Sequence, residues 1–315
     1  MVDDLAANSK YVDTTFGIPT RSVRERLASH NTFLKAFFYV VDCCYLIRVF
    51  SCFNGAFLVW CLASTQTSPA FWRIRVAIIS FCALGSAFSL NDALDIEEDQ
   101  INSAKRPVAA GRISRKVALS IYSLLGVIGV YFGLTLHSFS GSCIAIVMVA
   151  LASFYSFVVK PLWPLKTFVA AVMVTSLPIL AWSSNSPLFI HRKMGFAVIL
   201  FFWSWEKELL ADIRDLAGDA RSGLMTLPRR IGPRLTLFLI VTLNLSLWLS
   251  IYASIRPDHL AFICLIGLAL LHTAILLVCI AISSPQWLRR YLRVQIAVTS
   301  LGLAVTYFGS HLYGR

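Results

Sequence analysis

The stretch FWRIRVAIISFCALGSAFSL, residues 71–90, is followed directly by NDALDIEED, residues 91–99. The first part is long and apolar enough to cross a bilayer, since a membrane-spanning helix needs roughly 20 such residues. The second part carries five acidic residues, and five more lie within residues 206–219, so two short windows hold ten of the 16 acids. This pattern indicates membrane helices that carry clustered carboxylates at their ends.

The composition indicates a membrane protein built from helices. Of 315 residues, 57% are hydrophobic and 14% are charged, whereas about a quarter of an ordinary soluble domain is charged. These values exclude a soluble enzyme and a disordered chain. The apolar runs are continuous rather than alternating, which excludes a transmembrane β-barrel and predicts an all-α protein in the lipid bilayer. Because the basic residues flank these runs, the net charge of +12 indicates cytoplasmic loops and no nucleic-acid partner.

Nine apolar runs are long enough to span the membrane, so we predict nine transmembrane helices. If the N-terminus is cytoplasmic, most Lys and Arg residues lie on the cytoplasmic side, together with both acidic windows. We expect a cytoplasmic N-terminal segment, 1–42, and a single transmembrane domain, 43–315, in the endoplasmic reticulum if the source is eukaryotic. The predicted spans are residues 43–64, 71–90, 117–136, 141–159, 165–182, 194–210, 235–255, 259–282 and 292–311.

The two acidic windows share one spacing. Each places three aspartates at positions i, i+3 and i+7, which lie on one face of a helix and repel one another. The six residues are Asp92, Asp95, Asp99, Asp212, Asp215 and Asp219. A solvated loop would explain one such run, but two runs with identical offsets favour a site that binds cations. Carboxylates suit Mg²⁺, which typically takes one or two of them together with substrate phosphates.

Basic residues stand close to both windows. Lys105 and Arg106 follow the first window, and Arg214 lies inside the second. Carboxylates that hold Mg²⁺ beside Lys and Arg form a combination that binds a diphosphate. We interpret the other nearby basic residues as loop charge that faces the cytoplasm. They are Arg112, Arg115, Lys116, Arg229 and Arg230.

These motifs resemble those of the UbiA superfamily of intramembrane prenyltransferases. The first is NDxxDxxxD at 91–99, followed by NxxxRP at 102–107 and GRIS at 111–114. The second is ExxxDxxDxxGD at 208–219, followed by Gly223 and TLP at 226–228. A weaker match is YSxxxKP at 155–161. The second motif looks most like the branch that includes archaeal ether-lipid and fungal terpenoid enzymes.

The resemblance implies a helical bundle around a central cavity and assigns roles by position. All six aspartates are implied to hold Mg²⁺, and Asp92, Asp95, Asp212 and Asp215 are expected to be catalytic. The implied diphosphate contacts are Asn91, Lys105, Arg106, Lys160 and Arg214. Asn54 and Tyr155 are implied to lie at the cavity. The family often has Arg three residues before this Asn, where this chain has Ser51, so Arg48, a lone Arg inside an apolar run, is left without an assigned role.

The resemblance implies that an allylic polyprenyl diphosphate, farnesyl or geranylgeranyl, is ionised with Mg²⁺. In one interpretation, a second, aromatic or lipid-like molecule captures the prenyl group, which makes the protein a prenyltransferase in terpenoid or meroterpenoid biosynthesis. In the other, a double bond of the same chain captures it, which makes the protein a terpene cyclase. A cation-coupled transporter is a third interpretation, but surface acids argue against it. The aromatic run at 201–205 is a candidate for stabilising the carbocation.

Overall fold

The computed structural model describes residues 32–64, 70–102, 105–163, 165–183 and 190–255, together with residues 273, 274, 277 and 278. Within these ranges every regular element is a helix. The helices are α1 (Thr32–Leu46), α2 (Val49–Ser64), α3 (Ala70–Leu94), α4 (Ile96–Asn102), α5 (Arg115–Leu134), α6 (Phe139–Phe154), α7 (Leu165–Trp182), α8 (Ile190–Arg214), α9 (Leu216–Arg221), α10 (Leu227–Ile231) and α11 (Pro233–Ile255). One turn of π-helix, Tyr155–Val159, continues α6.

Local sequence explains where several of these helices begin. The hydroxyl of Ser114 accepts a hydrogen bond from the backbone N–H of Val117, and the hydroxyl of Ser138 accepts one from Gly141, so both serines cap helices. Such caps satisfy backbone donors that have no partner inside the helix. At Pro233, the first residue of α11, the missing N–H costs nothing, because that donor would have no partner in the helix.

Five of the described helical segments are long and apolar enough to cross a membrane. They contain most or all of the predicted spans 71–90, 117–136, 141–159, 165–182 and 235–255. Helix α8 contains the predicted span 194–210 but is not among the five, because Glu206, Lys207 and Glu208 lie in its C-terminal half. The predicted spans 259–282 and 292–311 lie almost entirely outside the described residues, so the count of nine stays a prediction.

The first predicted span is not one continuous helix. Helices α1 and α2 form a pair that is bent by 53° and that together is long and apolar enough to cross the membrane. The break lies at Arg48, whose backbone φ of 51° falls in the left-handed region. The predicted span 43–64 therefore begins inside α1 and is broken at Arg48, and the expected domain boundary after Asp42 also falls inside α1.

The helices pack so that α3 and α8 are both held in the bundle. Helix α3 contacts α2, α5 and α6, whereas α7 contacts α2 on one side and α8 on the other, and α8 also packs on α11. Small residues allow close approach: a Cβ added at Gly133 of α5 would lie 2.9 Å from the Cβ of Ala145 on α6. The ends of α3 and α8 are thereby fixed in position, and each is followed by one of the two acidic windows.

Candidate active site

The two acidic windows meet because two short helices pack on each other. After α3 ends, the first window continues as α4, and after α8 ends, the second continues as α9, which contacts α4. Asp95 and Asp215 occupy the two breaks, and their backbone N–H groups donate to the carbonyls of Asn91 and Ala211, both at 2.9 Å. The windows therefore share their local structure as well as their spacing.

Arg106 joins the aspartates of the first window. Its Nη1 donates to Asp92 Oδ1 at 3.0 Å and to Asp99 Oδ2 at 2.7 Å. The same oxygen of Asp92 accepts a second hydrogen bond from Nη2 of Arg48, also at 3.0 Å. The guanidinium of Arg48 lies over the ring of Phe88, 4.3 Å from its centre. The break between α1 and α2 thus places the guanidinium of Arg48 beside the buried carboxylate of Asp92.

Lys160 connects the first window to the end of α6. Its Nζ donates to the carboxylate of Asp95 and, at 2.9 Å, to Oε2 of Glu98. The π-turn ends just before Lys160, whose backbone N–H bonds to the carbonyl of Tyr155 at 2.8 Å. Single π-turns are frequent at functional sites. Here the turn precedes a buried lysine that contacts two acids of a different segment.

The second window is held by a different set of contacts. Lys166, from the first turn of α7, donates to Asp212 Oδ1 at 2.7 Å. Arg214 binds its neighbour Asp215 through two nitrogens, at 2.7 and 2.5 Å. Asp219 is buried, and its Oδ2 has no hydrogen-bond partner within the part of the chain that the structure describes. Among the described residues, five cations thus contact five of the six aspartates, whereas the sixth, Asp219, has a buried oxygen without a hydrogen-bond partner.

Burial raises the pKa of aspartates in both windows. It raises the pKa of Asp99 to about 7, although Arg106 opposes the shift. It raises the pKa of Asp219 to about 6, with Lys166 opposing. Burial is also the main cause that raises the pKa of Asp95. A desolvated carboxylate that keeps an elevated pKa in spite of nearby cations has capacity for more positive charge.

The donor set fits Mg²⁺ bound together with a diphosphate. No three His, Cys, Asp or Glu side chains of the described ranges are grouped so that they could hold a metal by themselves. Mg²⁺ does not require such a cage, because it usually keeps water and takes one or two carboxylates plus substrate phosphates. The unpaired oxygen of Asp219 is an available hard ligand of this kind.

The remaining predicted site residues take varied positions. Asn91 is half-buried in the last turn of α3, whereas Asn54 is exposed on α2. The side chain of Lys105 is exposed, and its carbonyl accepts a hydrogen bond from Arg112 at 2.7 Å. Tyr155 lies close enough to Asp95 and to the second window to interact with both electrostatically.

The aromatic run at 201–205 forms part of the contact between α7 and α8. The ring of Phe168 lies edge-on to those of Phe201 and Trp205, with centres 5.4 and 5.6 Å apart. The indole nitrogen of Trp205 donates to the hydroxyl of Thr167 at 3.2 Å. Trp205 also lines a cavity of about 180 Å³ that reaches Asp212. Aromatic rings therefore lie beside the second window.

Three residues of the network were missed at the level of the sequence: Arg48, Glu98 and Lys166. Arg48 carried a signal, since a charged residue inside an apolar run is costly and suggests function. Lys166 carried no sequence signal, because its contact with Asp212 runs from α7 to α8 and follows no regular spacing in the chain. Arg112, interpreted as loop charge, binds Asp42 at 3.0 Å and so joins its loop to α1.

Comparisons with known proteins agree with this architecture. The profile of the UbiA prenyltransferase family matches residues 49–304. Digeranylgeranylglyceryl phosphate synthase from Sulfolobus acidocaldarius is 26% identical over 244 residues, which cover 75% of this chain and 85% of the relative. The enzyme of the same name from Pyrococcus abyssi is 30% identical over 162 residues, which cover 50% of this chain and 56% of the relative.

Solved structures share the fold at low sequence identity. A structure of digeranylgeranylglyceryl phosphate synthase has a TM-score of 0.65 at 17% identity and covers 86% of this chain and 98% of its own. A UbiA homologue from Archaeoglobus fulgidus, bound to GPP and Mg²⁺, has a TM-score of 0.60 at 13% identity and covers 81% and 99%. The chain belongs to the UbiA prenyltransferase family, and with it to the enzymes that transfer prenyl groups.

Proposed function

We propose that the protein is a Mg²⁺-dependent intramembrane prenyltransferase in terpenoid or meroterpenoid biosynthesis. Its donor substrate is an allylic polyprenyl diphosphate, farnesyl or geranylgeranyl, and its acceptor is an aromatic or lipid-like molecule. The contact between α4 and α9 carries the proposal, because it brings two aspartate motifs with their cations to one end of the bundle. The relatives named for transfer of prenyl groups support the same reaction class.

In this proposal the aspartates of both motifs hold Mg²⁺, and Asn91, Lys105, Arg106, Lys160 and Arg214 contact the diphosphate. When bound, Mg²⁺ supplies positive charge that stabilises the leaving diphosphate. Arg106 and Lys160 each already contact two carboxylates, so they can donate to phosphate oxygens from a fixed position. Such preorganised donors stabilise charge as it develops on the oxygens of the breaking allylic C–O bond.

The apolar part of the site protects the allylic cation. In the aromatic cluster of Phe168, Phe201 and Trp205, Trp205 precedes Asp212 by about two helical turns, so the rings can stabilise a cation through their faces. Exclusion of water prevents hydrolysis of the cation. The same cluster favours a second candidate function, a UbiA-type terpene cyclase, in which a double bond of the prenyl chain captures the cation.

The proposal includes the topology that the basic residues predict. The N-terminus and both motifs lie on the cytoplasmic side, within one transmembrane domain at 43–315 that follows the segment 1–42. Large side chains of the helices that remain exposed, such as Phe50, Leu124 and Phe139, face the lipid. A eukaryotic source would place the protein in the endoplasmic reticulum.

Membranes that contain the protein test this proposal when they receive geranylgeranyl or farnesyl diphosphate with Mg²⁺. We expect diphosphate release that depends on an added acceptor and is abolished by EDTA. A terpene alcohol or hydrocarbon formed without acceptor would instead identify a cyclase. The variants Asp92→Asn and Asp212→Asn should lose both activities, whereas Glu97→Gln, an exposed acid of the first window, should retain them. Activity that survives in EDTA and in both Asp variants would refute the metal site.

A further inference from the structure

Lys166 belongs to neither aspartate motif, yet it neutralises one of the motif residues. It lies in the first turn of α7, and its Nζ donates to Oδ1 of Asp212 at 2.7 Å. Both side chains are largely withdrawn from solvent, with 14% of Lys166 and 5% of Asp212 exposed. The carboxylate proposed to hold Mg²⁺ is therefore already occupied by an ammonium group from a neighbouring helix.

The same lysine borders an open space with a second acceptor. Lys166 and Asp212 line the cavity of about 180 Å³ together with Thr226. Thr226 is 1% exposed, and its hydroxyl has no hydrogen-bond partner among the described residues. A hydroxyl oxygen accepts hydrogen bonds, and an ammonium group has three donors on a flexible stem. The cavity thus offers Lys166 space for another side-chain conformation and the hydroxyl of Thr226 as a hydrogen-bond acceptor.

We propose that Lys166 is a positioning residue that acts as an exchangeable counter-ion for Asp212. It neutralises Asp212 while no metal is bound, competes with Mg²⁺ for that carboxylate, and turns into the cavity towards Thr226 when Mg²⁺ takes its place. This inference rests on the proposed function, because it takes Asp212 to be a metal ligand. It extends that function by explaining how a buried carboxylate is kept stable before substrate and metal arrive.

If Lys166 neutralises Asp212, its loss should change the stability of the folded protein, which can be measured without an activity assay. Removal of one partner from a buried ion pair leaves an uncompensated charge and is strongly destabilising. If the lysine and the metal serve the same carboxylate, Mg²⁺ should replace the missing lysine. If Lys166 only packs α7 against α8, Mg²⁺ should not reduce the destabilisation that the loss of Lys166 causes.

The experiment measures thermal unfolding of the purified full-length protein by tryptophan fluorescence, in EDTA and in Mg²⁺. We expect Lys166→Met to lower the Tm in EDTA by roughly 5–10 °C and Mg²⁺ to restore most of that loss. Adding Asp212→Asn to this variant should recover the Tm in EDTA and abolish the additional stabilisation by Mg²⁺ that Lys166→Met shows relative to the wild type. The control Lys116→Met replaces an exposed lysine of α5 and should leave the Tm unchanged in both conditions.

A second variant tests the competition even if Lys166→Met does not fold. Lys166→Arg keeps the charge and can bind the carboxylate through two nitrogens, so it should hold Asp212 more firmly. Titration with Mn²⁺, followed by loss of the electron paramagnetic resonance signal of the free ion, should show metal binding weakened roughly tenfold, which corresponds to the gain of one good interaction. Unchanged Mn²⁺ binding in Lys166→Arg would overturn the proposal, as would a Tm loss in Lys166→Met that Mg²⁺ does not reverse.

Different results would contradict the proposed function and the proposed role of Lys166. If the wild-type protein consumes no prenyl diphosphate with Mg²⁺, the proposed function is wrong whatever the variants show. If the wild type is active but the two Lys166 variants show no change in metal response, only the role of Lys166 is wrong.

Discussion

Replacement of Arg106 by methionine removes the cation that two buried carboxylates share. One nitrogen of Arg106 donates to Asp92 at 3.0 Å and to Asp99 at 2.7 Å. Asp92 keeps a second partner, because Arg48 binds the same oxygen. Asp99 has no other cation within hydrogen-bond distance among the contacts that the structure describes. The two carboxylates should therefore respond differently to the loss.

The cost for Asp92 is one hydrogen bond to a charged group, about 1–2 kcal/mol, taken at the low end because Arg48 remains. The cost for Asp99 depends on pH. Its pKa is about 7 in the folded protein, above its ordinary value of 3.8, so the folded state holds more protons than the unfolded state between these values. Stability associated with Asp99 is therefore lost as the pH rises from about 4 to 7.

Without Arg106 the pKa of Asp99 rises further, because the cation that opposed the effect of burial is gone. The loss of stability then continues above pH 7, by up to about 1.4 kcal/mol for each pH unit. We expect Arg106→Met to be destabilised by about 1–2 kcal/mol at pH 5.5 and by about 2–4 kcal/mol at pH 8.5.

Thermal unfolding in EDTA at the two pH values measures the difference between the variant and the wild type. Adding Asp99→Asn should cancel the part that depends on pH, since the second carboxyl is then absent. Arg115→Met, which replaces an exposed arginine of α5, is the control and should change stability by no more than about 0.5 kcal/mol. An equal loss at pH 5.5 and pH 8.5 would show that Arg106 does not stabilise the fold through the ionised carboxylate of Asp99.

Three further predictions concern metal binding, catalysis and packing. The Mg²⁺ concentration for half-maximal activity should decrease as the pH is raised from 6 to 8, because the carboxyls of Asp99 and Asp219, with pKa values of about 7 and 6, lose their protons in that range. A Mg²⁺ requirement that does not change with pH would contradict this prediction. Lys160→Gln should lower kcat/KM for the prenyl diphosphate by roughly 10²–10³, and kinetics within a factor of three of wild type would rule out the assigned contact. Gly133→Ala should destabilise the protein by about 1–3 kcal/mol, because the new Cβ would lie 2.9 Å from α6, whereas Gly126→Ala, with its nearest neighbour at 3.7 Å, should be neutral or stabilising in the same unfolding assay.

Much of the helical architecture could be predicted because lipid imposes a simple rule on the sequence. A span must be apolar over roughly 20 residues, so its position can be predicted without knowledge of the helices that pack against it. The break within the predicted span 43–64 was not predicted, and it has a specific cause. Arg48 adopts a left-handed backbone conformation next to Asp92, and that contact joins residues 44 positions apart. Hydropathy is averaged along the chain and therefore cannot predict a contact between two distant residues.

The identities of the acids were legible because a helix gives them a fixed period. The offsets i, i+3 and i+7 predict one helix face for each set, but the helix is broken at Asp95 and at Asp215, so each set extends over two helices. Their cations follow no such period. Arg106 lies 14 residues from Asp92, and Lys160 lies 65 residues from Asp95.

The sequence by itself determined that this is a helical membrane protein with two matched carboxylate motifs, because composition and helical spacing are properties of the chain alone. Only the tertiary structure decided that the motifs meet through α4 and α9, and which cation each carboxylate receives. The pairing of Lys166 with Asp212 depends on the packing of α7 against α8. Electrostatic contacts are set by distance in space, and the fold brings together charges that the sequence keeps apart.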